Sequence, residues 1–159
     1  MEPWVVLTFG SLQDLSDFIE GEIERSKRMS NSYNERLGEL LREKESKDGG
    51  KKIKISESGR RWMPYGRLML YGGQARKGEA EILFGTVDDL KARIQNLEEA
   101  KKAVANLSKI GLGEMPIYLV QFRNSVPSRI VVSNPTDADR PRLKYNAELI
   151  IPSRPRKAG

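Results

Sequence analysis

Positive charge and flat rings crowd into one short stretch of this chain. Lys52 and Lys54 alternate with Ile53 and Ile55, then Arg60, Arg61, Trp62 and Tyr65 follow, and Arg67 and Tyr71 close the run. In an extended segment successive side chains point to opposite faces, so the two lysines share the face away from the isoleucines. Ammonium and guanidinium groups neutralise phosphates and release counterions. Aromatic rings stack on unpaired bases, at about 1–3 kcal/mol per base. The two residue types side by side suit a single strand better than a duplex, whose bases are already stacked. The same residues have a plainer reading, a solvated charged face with Trp62 and Tyr65 turned into the core. Farther along, Arg123, Arg129 and Lys144 fall at polar-face or strand-end positions and would extend the basic surface. Tyr118, Val120 and Phe122 alternate as one apolar face and are expected in the core.

Little else in the sequence suggests chemistry. Cys and His are both absent. That leaves no thiolate nucleophile, no zinc-thiolate site and no Ser-His or Cys-His dyad. Asp137 and Asp139 could hold a hard cation, but aspartates in a proline-flanked turn are ordinarily local hydrogen-bond acceptors. The glycine-rich stretch 72–78 lacks the GxxxxGK[ST] pattern of a phosphate cradle. Asp88 and Asp89 are expected in the first turn of a helix, where its dipole accounts for them. No catalytic residue, metal or cofactor is therefore expected, and the protein is not expected to be an enzyme. The formal net charge of +6 points to polyanionic partners. Charged residues make up 31% and cysteine is missing, a composition of the thermophile kind. No run of apolar residues is long enough to span a membrane. Met1-Glu2-Pro3-Trp4 carries no basic leader before the first strand, so a cytoplasmic protein without a signal peptide is expected.

The element that must organise these residues is the stretch from Ser11 to Lys47. Leu12, Leu15, Ile19, Ile23, Met29, Tyr33, Leu37, Leu40 and Leu41 recur at helical spacings, with one jump from Ile23 to Met29 across Ser26. Ser11 is a natural N-cap, and Asp14 places an acid at the positive helix end. Asp48-Gly49-Gly50 supplies the stop. Unbroken, the helix would run roughly 50 Å, longer than the about 40 Å across a compact globule of this chain length. A break into a helical hairpin near Ser30–Asn34 is the competing reading, since Ser32-Tyr33-Asn34-Glu35 fits a capping box. The stripe either packs on the sheet or pairs subunits, in which case Ile23, Met29, Tyr33, Leu37, Leu40 and Leu41 would form a coiled-coil-like oligomer contact.

The rest reads as short strands around a second helix. Strands are expected at Trp4–Phe9, 51–57, 67–71, 79–84, 117–123, 129–133 and 143–151, with Pro64 interrupting an irregular segment before the third. The second helix is expected over Val87–Lys109, with Val87, Leu90, Ile94, Leu97, Val104, Leu107 and Ile110 inward and Gly111 and Gly113 as stops. Phe9-Gly10-Ser11 and Phe84-Gly85-Thr86 align, which raises a duplicated strand–helix unit against the simpler reading of two similar junctions. The resulting order is β-α-β-β-β-α-β-β-β, an α+β fold with mainly antiparallel sheet and helices on one face. One domain is expected over residues 1–152, followed by a basic flexible tail at 153–159.

With its basic aromatic stretch beside a long helical stripe, the chain resembles small archaeal single-stranded-DNA-binding proteins of the ThermoDBP-related kind. The resemblance is one of size, composition and layout across the chain, and no motif carries a family residue over. It implies a basic, aromatic cleft for single strands and oligomers built through helices. The residues and the resemblance together lead us to expect a non-enzymatic binder of single-stranded nucleic acid, DNA rather than RNA, working as a homo-oligomer, a dimer or tetramer. The alternative is a protein-interaction module that docks another chain on the helical stripe.

Overall fold

Two long helices and two antiparallel sheets form an α+β structure that opens with a strand and a long helix. This computed structural model describes residues 4–47, 61–113 and 115–134. The expected strands at 51–57 and 143–151, the turn with Asp137 and Asp139, and the basic tail lie outside the described residues. The elements are β1 (Trp4–Phe9), α1 (Leu12–Lys47), β2 (Trp62–Tyr65), β3 (Leu68–Tyr71), α2 (Ala75–Leu107), β4 (Ile117–Arg123) and β5 (Val126–Ser133). The chain divides into two compact units, Met1–Arg25 with Arg93–Gly159 and Ser26–Ala92, and the division falls within both helices. No helix among the described residues is long and apolar enough to cross a membrane.

In the first unit β4 is the central strand of a three-stranded sheet, antiparallel to β1 and to β5. Alternation decides its faces. Val5 and Phe9 of β1 and Tyr118, Val120 and Phe122 of β4 are buried, and they pack with Leu15, Ile19 and Ile23 of α1 and Leu97 and Val104 of α2. Phe18 fills the space between Phe9 and Phe122, its ring 5.6 Å from the first and 5.0 Å from the second. Helix α1 starts where the sequence places it, the Asp14 amide donating to Ser11 Oγ at 3.0 Å. Buried Glu22 keeps a partner in Arg25, 3.2 Å away. Glu20 is paired with Lys101. The β4–β5 turn uses Asn124 and Ser125, both at positive φ (51° and 69°), as two-residue hairpin turns of the primed kind require.

In the second unit Leu37 and Leu40 of α1 close on Ala80 and Leu83 of α2, flanked by Tyr33, Leu41 and Phe84. Arg36 forks onto Glu79, the shorter bond 2.8 Å, and these hydrogen bonds, with the one to Glu39, raise its pKa above its ordinary value. Arg76 meets Glu43 at 3.1 Å. Helix α1 is continuous through Ser30–Asn34. Its buried positions run Ile19, Ile23, Ser26, Ser30, Leu37, Leu40, while Met29 is 38% exposed. The gap seen in the apolar spacing is thus bridged by two serines, and Met29 is not part of the covered stripe. Ile23, Leu37 and Leu40 are buried by the chain itself, and Tyr33 and Leu41 are half-buried against them. Of the six residues expected to join copies, Ile23, Leu37 and Leu40 are thus covered within the chain, whereas Met29 is exposed and Tyr33 and Leu41 keep part of their surface.

The expected strand at 79–84 is the first part of α2. Ala80, Leu83, Val87 and Leu90 are buried at spacings of three and four, so the helical period of the downstream stripe already operates there. Asp88 and Asp89 are accordingly mid-helix, and Phe84-Gly85-Thr86 is not a strand-to-helix junction, which removes the basis for a duplicated unit. Conversely 62–65, expected to be irregular, is β2. The Gly72 amide donates to the Arg61 carbonyl at 2.8 Å. From the β2–β3 register, Met63–Leu70 and Tyr65–Leu68 are then the other hydrogen-bonded pairs, and Pro64 falls at an outward position where the ladder needs no N–H from it. Gly66, at φ 61°, makes the two-residue turn to β3.

Two glycines of α2 should respond to alanine with opposite signs. At Gly85 a Cβ meets nothing within 4 Å, whereas at Gly78 it would lie 2.6 Å from the Tyr71 ring. Gly85→Ala should gain up to about 1 kcal/mol from helix propensity. Gly78→Ala should lose on the order of 1 kcal/mol net, because the ring must move. Urea denaturation of the two variants reads both. In the β4–β5 turn, Asn124→Ile should cost about 1–2 kcal/mol through its backbone alone, since a β-branched residue resists positive φ, while Asn124→Gly should not destabilise.

Candidate nucleic-acid interface

The residues expected to bind nucleic acid are distributed over both units. Arg61, Trp62, Tyr65, Arg67 and Tyr71 stand on or beside the β2–β3 hairpin of the second unit, whereas Arg123 and Arg129 stand on β4 and β5 of the first. Lys52, Lys54, Arg60 and Lys144 lie outside the described residues.

On the hairpin, the antiparallel register puts Trp62 opposite Tyr71. Their rings meet at 5.1 Å with a 59° tilt, a contact worth about 0.5–1.5 kcal/mol. The Trp62 indole N–H donates to Glu81 Oε2 of α2 at 2.8 Å. The Tyr71 ring packs over Gly78, close enough that a Cβ there would strike it, and its hydroxyl is buried with no hydrogen-bond partner among the described residues. These two half-buried rings therefore anchor the hairpin to α2. The free ring is Tyr65, 69% exposed beside the turn, with exposed Arg67 in the turn itself and exposed Arg61 at the hairpin's base. Sequence spacing brought all five residues to one hairpin, but only Tyr65, Arg61 and Arg67 remain open to a ligand.

The sheet of the first unit offers a second surface. Val5, Leu7 and Phe9 point to the core side, so Trp4, Val6 and Thr8 point outward. Register then sets Trp4 opposite Arg123, and Val6, Gln121 and Arg129 in one row across the three strands. Trp4 is 55% exposed. The Arg123 guanidinium carbon lies 4.7 Å from the centre of its ring. A cation held over an exposed indole is stabilised by only about 0.5–1 kcal/mol, so the pair can open or accept a further planar group. Farther down the same face Thr8 Oγ1 is buried with no hydrogen-bond partner among the described residues, and its row neighbours Leu119 and Val131 are exposed but apolar, so the cations and the ring are at the Trp4 end. Arg123 and Arg129 were legible as surface cations. Trp4 was passed over as one more strand former, although the alternation with Val5 and Phe9 already turned it away from the core.

Comparison with protein-family models, with curated proteins and with solved structures returned no match. The chemistry of these two surfaces is therefore read from their own geometry.

The two tryptophans should be distinguishable in solution. Trp4 alone, in the Trp62→Phe variant, should emit at longer wavelength and be quenched strongly by acrylamide. Trp62 alone, in Trp4→Phe, should be blue-shifted and quenched less. Equal quenching of the two would contradict the burial difference. Trp62→Phe should also cost about 1 kcal/mol in stability, from the lost bond to Glu81.

Proposed function

We propose that this protein is a cytoplasmic, non-enzymatic binder of single-stranded nucleic acid, with DNA preferred to RNA, and that the Trp4 end of the three-stranded sheet is its principal contact surface. Trp4 stacks a base, Arg123 caps the stack and reaches a phosphate, and Arg129 holds the backbone one strand farther on. The observation that carries this reading is the exposed indole of Trp4 with the Arg123 guanidinium 4.7 Å from its centre. An outward sheet face bearing a ring and cations is a sequence-tolerant platform, because every base has a π-face. The net charge of +6 supports a polyanionic ligand. Tyr65, Arg61 and Arg67 repeat the same combination on the hairpin, as an additional contact. An assembly role through Leu37, Leu40 and Leu41 is less well supported, since the first two are covered within their own unit.

Labelled oligo(dT) tests the reading. Binding should be measurable at low salt and weaken steeply as salt rises, with a slope of about −0.7 for each phosphate neutralised on a single strand. Trp4→Ala should weaken it by about 1–3 kcal/mol at every salt concentration, whereas Arg129→Ala should also flatten the slope by about one phosphate. Duplex of the same length should compete poorly, and oligo(U) less well than oligo(dT). Protein at micromolar concentration that binds neither DNA nor RNA at low salt would remove the proposal.

A further inference from the structure

The hairpin has one face that its own unit leaves open. Residues opposite each other in an antiparallel pair share a face. Trp62, Tyr71, Pro64 and Met69 therefore lie on one side, where the two rings anchor to α2. Met63, Leu70, Tyr65 and Leu68 lie on the other, exposed by 53%, 47%, 69% and 65%. None of the four carries a charge, and Arg61 and Arg67 stand at the two ends of the hairpin. Four adjacent large side chains in water are costly unless something covers them.

We propose that this face docks a second copy of the same chain, as a two-fold pair of hairpins packed face to face. Three features favour a second copy over another occupant. A flat, uncharged patch is its own complement under a two-fold axis, because the same residues meet from both sides. Copies of a chain of net charge +6 repel one another overall, and a contact free of charge adds nothing to that repulsion. The area is that of a weak contact: the four exposures amount to roughly 400 Å² per copy. A pair would bury about 800 Å², plus what its rims add, which is the size of a weak, reversible interface. The cations stand at the ends of this face and its centre is Met and Leu, and Met adapts its shape to whatever packs on it. The Trp4 surface proposed as the principal nucleic-acid contact belongs to the other unit, whereas Tyr65, the additional contact, lies on this face; Trp4→Ala reads the first proposal and the aspartate pair below reads the second.

The test is sedimentation velocity on nuclease-treated protein, from micromolar to near-millimolar, at low and high salt. A reversible dimer is expected, undiminished by high salt because its contact is apolar. Leu68→Asp with Leu70→Asp should abolish it, whereas Met69→Asp, on the opposite face of the same strand, should leave it intact. All three residues are exposed, and unchanged circular-dichroism melting curves would show that the variants remain folded. The chain has no cysteine, so Leu70→Cys gives a single thiol that should form an intermolecular disulfide far faster than Met69→Cys. A monomer at every concentration would overturn the proposal and leave the face to another protein or to nucleic acid. A dimer that survives the double aspartate variant would overturn it equally.

Discussion

One narrow stripe along α1 has to be kept from water over most of the helix's length, and it is covered differently in the two units. In the first, Leu15, Ile19 and Ile23 are covered together with sheet side chains such as Val5, Val120 and Phe122. In the second, Leu37 and Leu40 are covered by Ala80 and Leu83 of α2. Ser26 and Ser30 occupy the stripe between, buried although polar. Hydrophobic burial at about 25 cal/mol per Å² rewards each of these arrangements. Because the chain covers its own stripe at these positions, the long helix serves as scaffold, and the exposed rings among the described residues, Trp4 and Tyr65, lie on strands.

Those strand surfaces divide the work between ring types. Trp62 and Tyr71 hold the hairpin to α2, through ring contact, a hydrogen bond to Glu81 and close packing on Gly78. Trp4 and Tyr65 are the rings left in water. A buried tryptophan usually satisfies its N–H, as Trp62 does, whereas one beside a guanidinium on an open sheet has a face to spend on a ligand. The proposed function rests on the second kind. The anchoring rings contribute indirectly, by fixing the hairpin on which Tyr65 stands.

Much of the fold was legible from local rules. The N-cap at Ser11 and the strands at Trp4–Phe9 and Ile117–Arg123 follow from capping, spacing and alternation, whereas the continuity of α1 stood open between two readings and β5 begins at Val126, three residues before its expected start. The errors have identifiable causes. Glu81-Ile82-Leu83-Phe84 looks like a strand when read alone, and Gly78 and Gly85 look like its boundaries. Its place in α2 emerges only when Ala80 and Leu83 are counted with Val87 and Leu90. Gly78 is a glycine because the Tyr71 ring needs the space, a tertiary reason that no local pattern reveals. Met29 was assigned to the stripe because hydrophobicity was followed where geometry favoured Ser26 and Ser30. Of the candidate site, the cations were visible as such, but which rings stay free depended on Glu81 and α2, elements distant from the motif.

Pro64 gives the small sheet an asymmetry that bears on how the protein behaves when crowded. The outer edge of β2 lacks one backbone donor at Pro64, while among the described strands nothing lines the outer edge of β3. Growth of a β-ribbon into a fibril needs an open edge on both sides of every added unit. A hairpin with one competent edge can join one other and then has nowhere to extend. In polymer language Pro64 is a chain stopper on the β2 side of the hairpin.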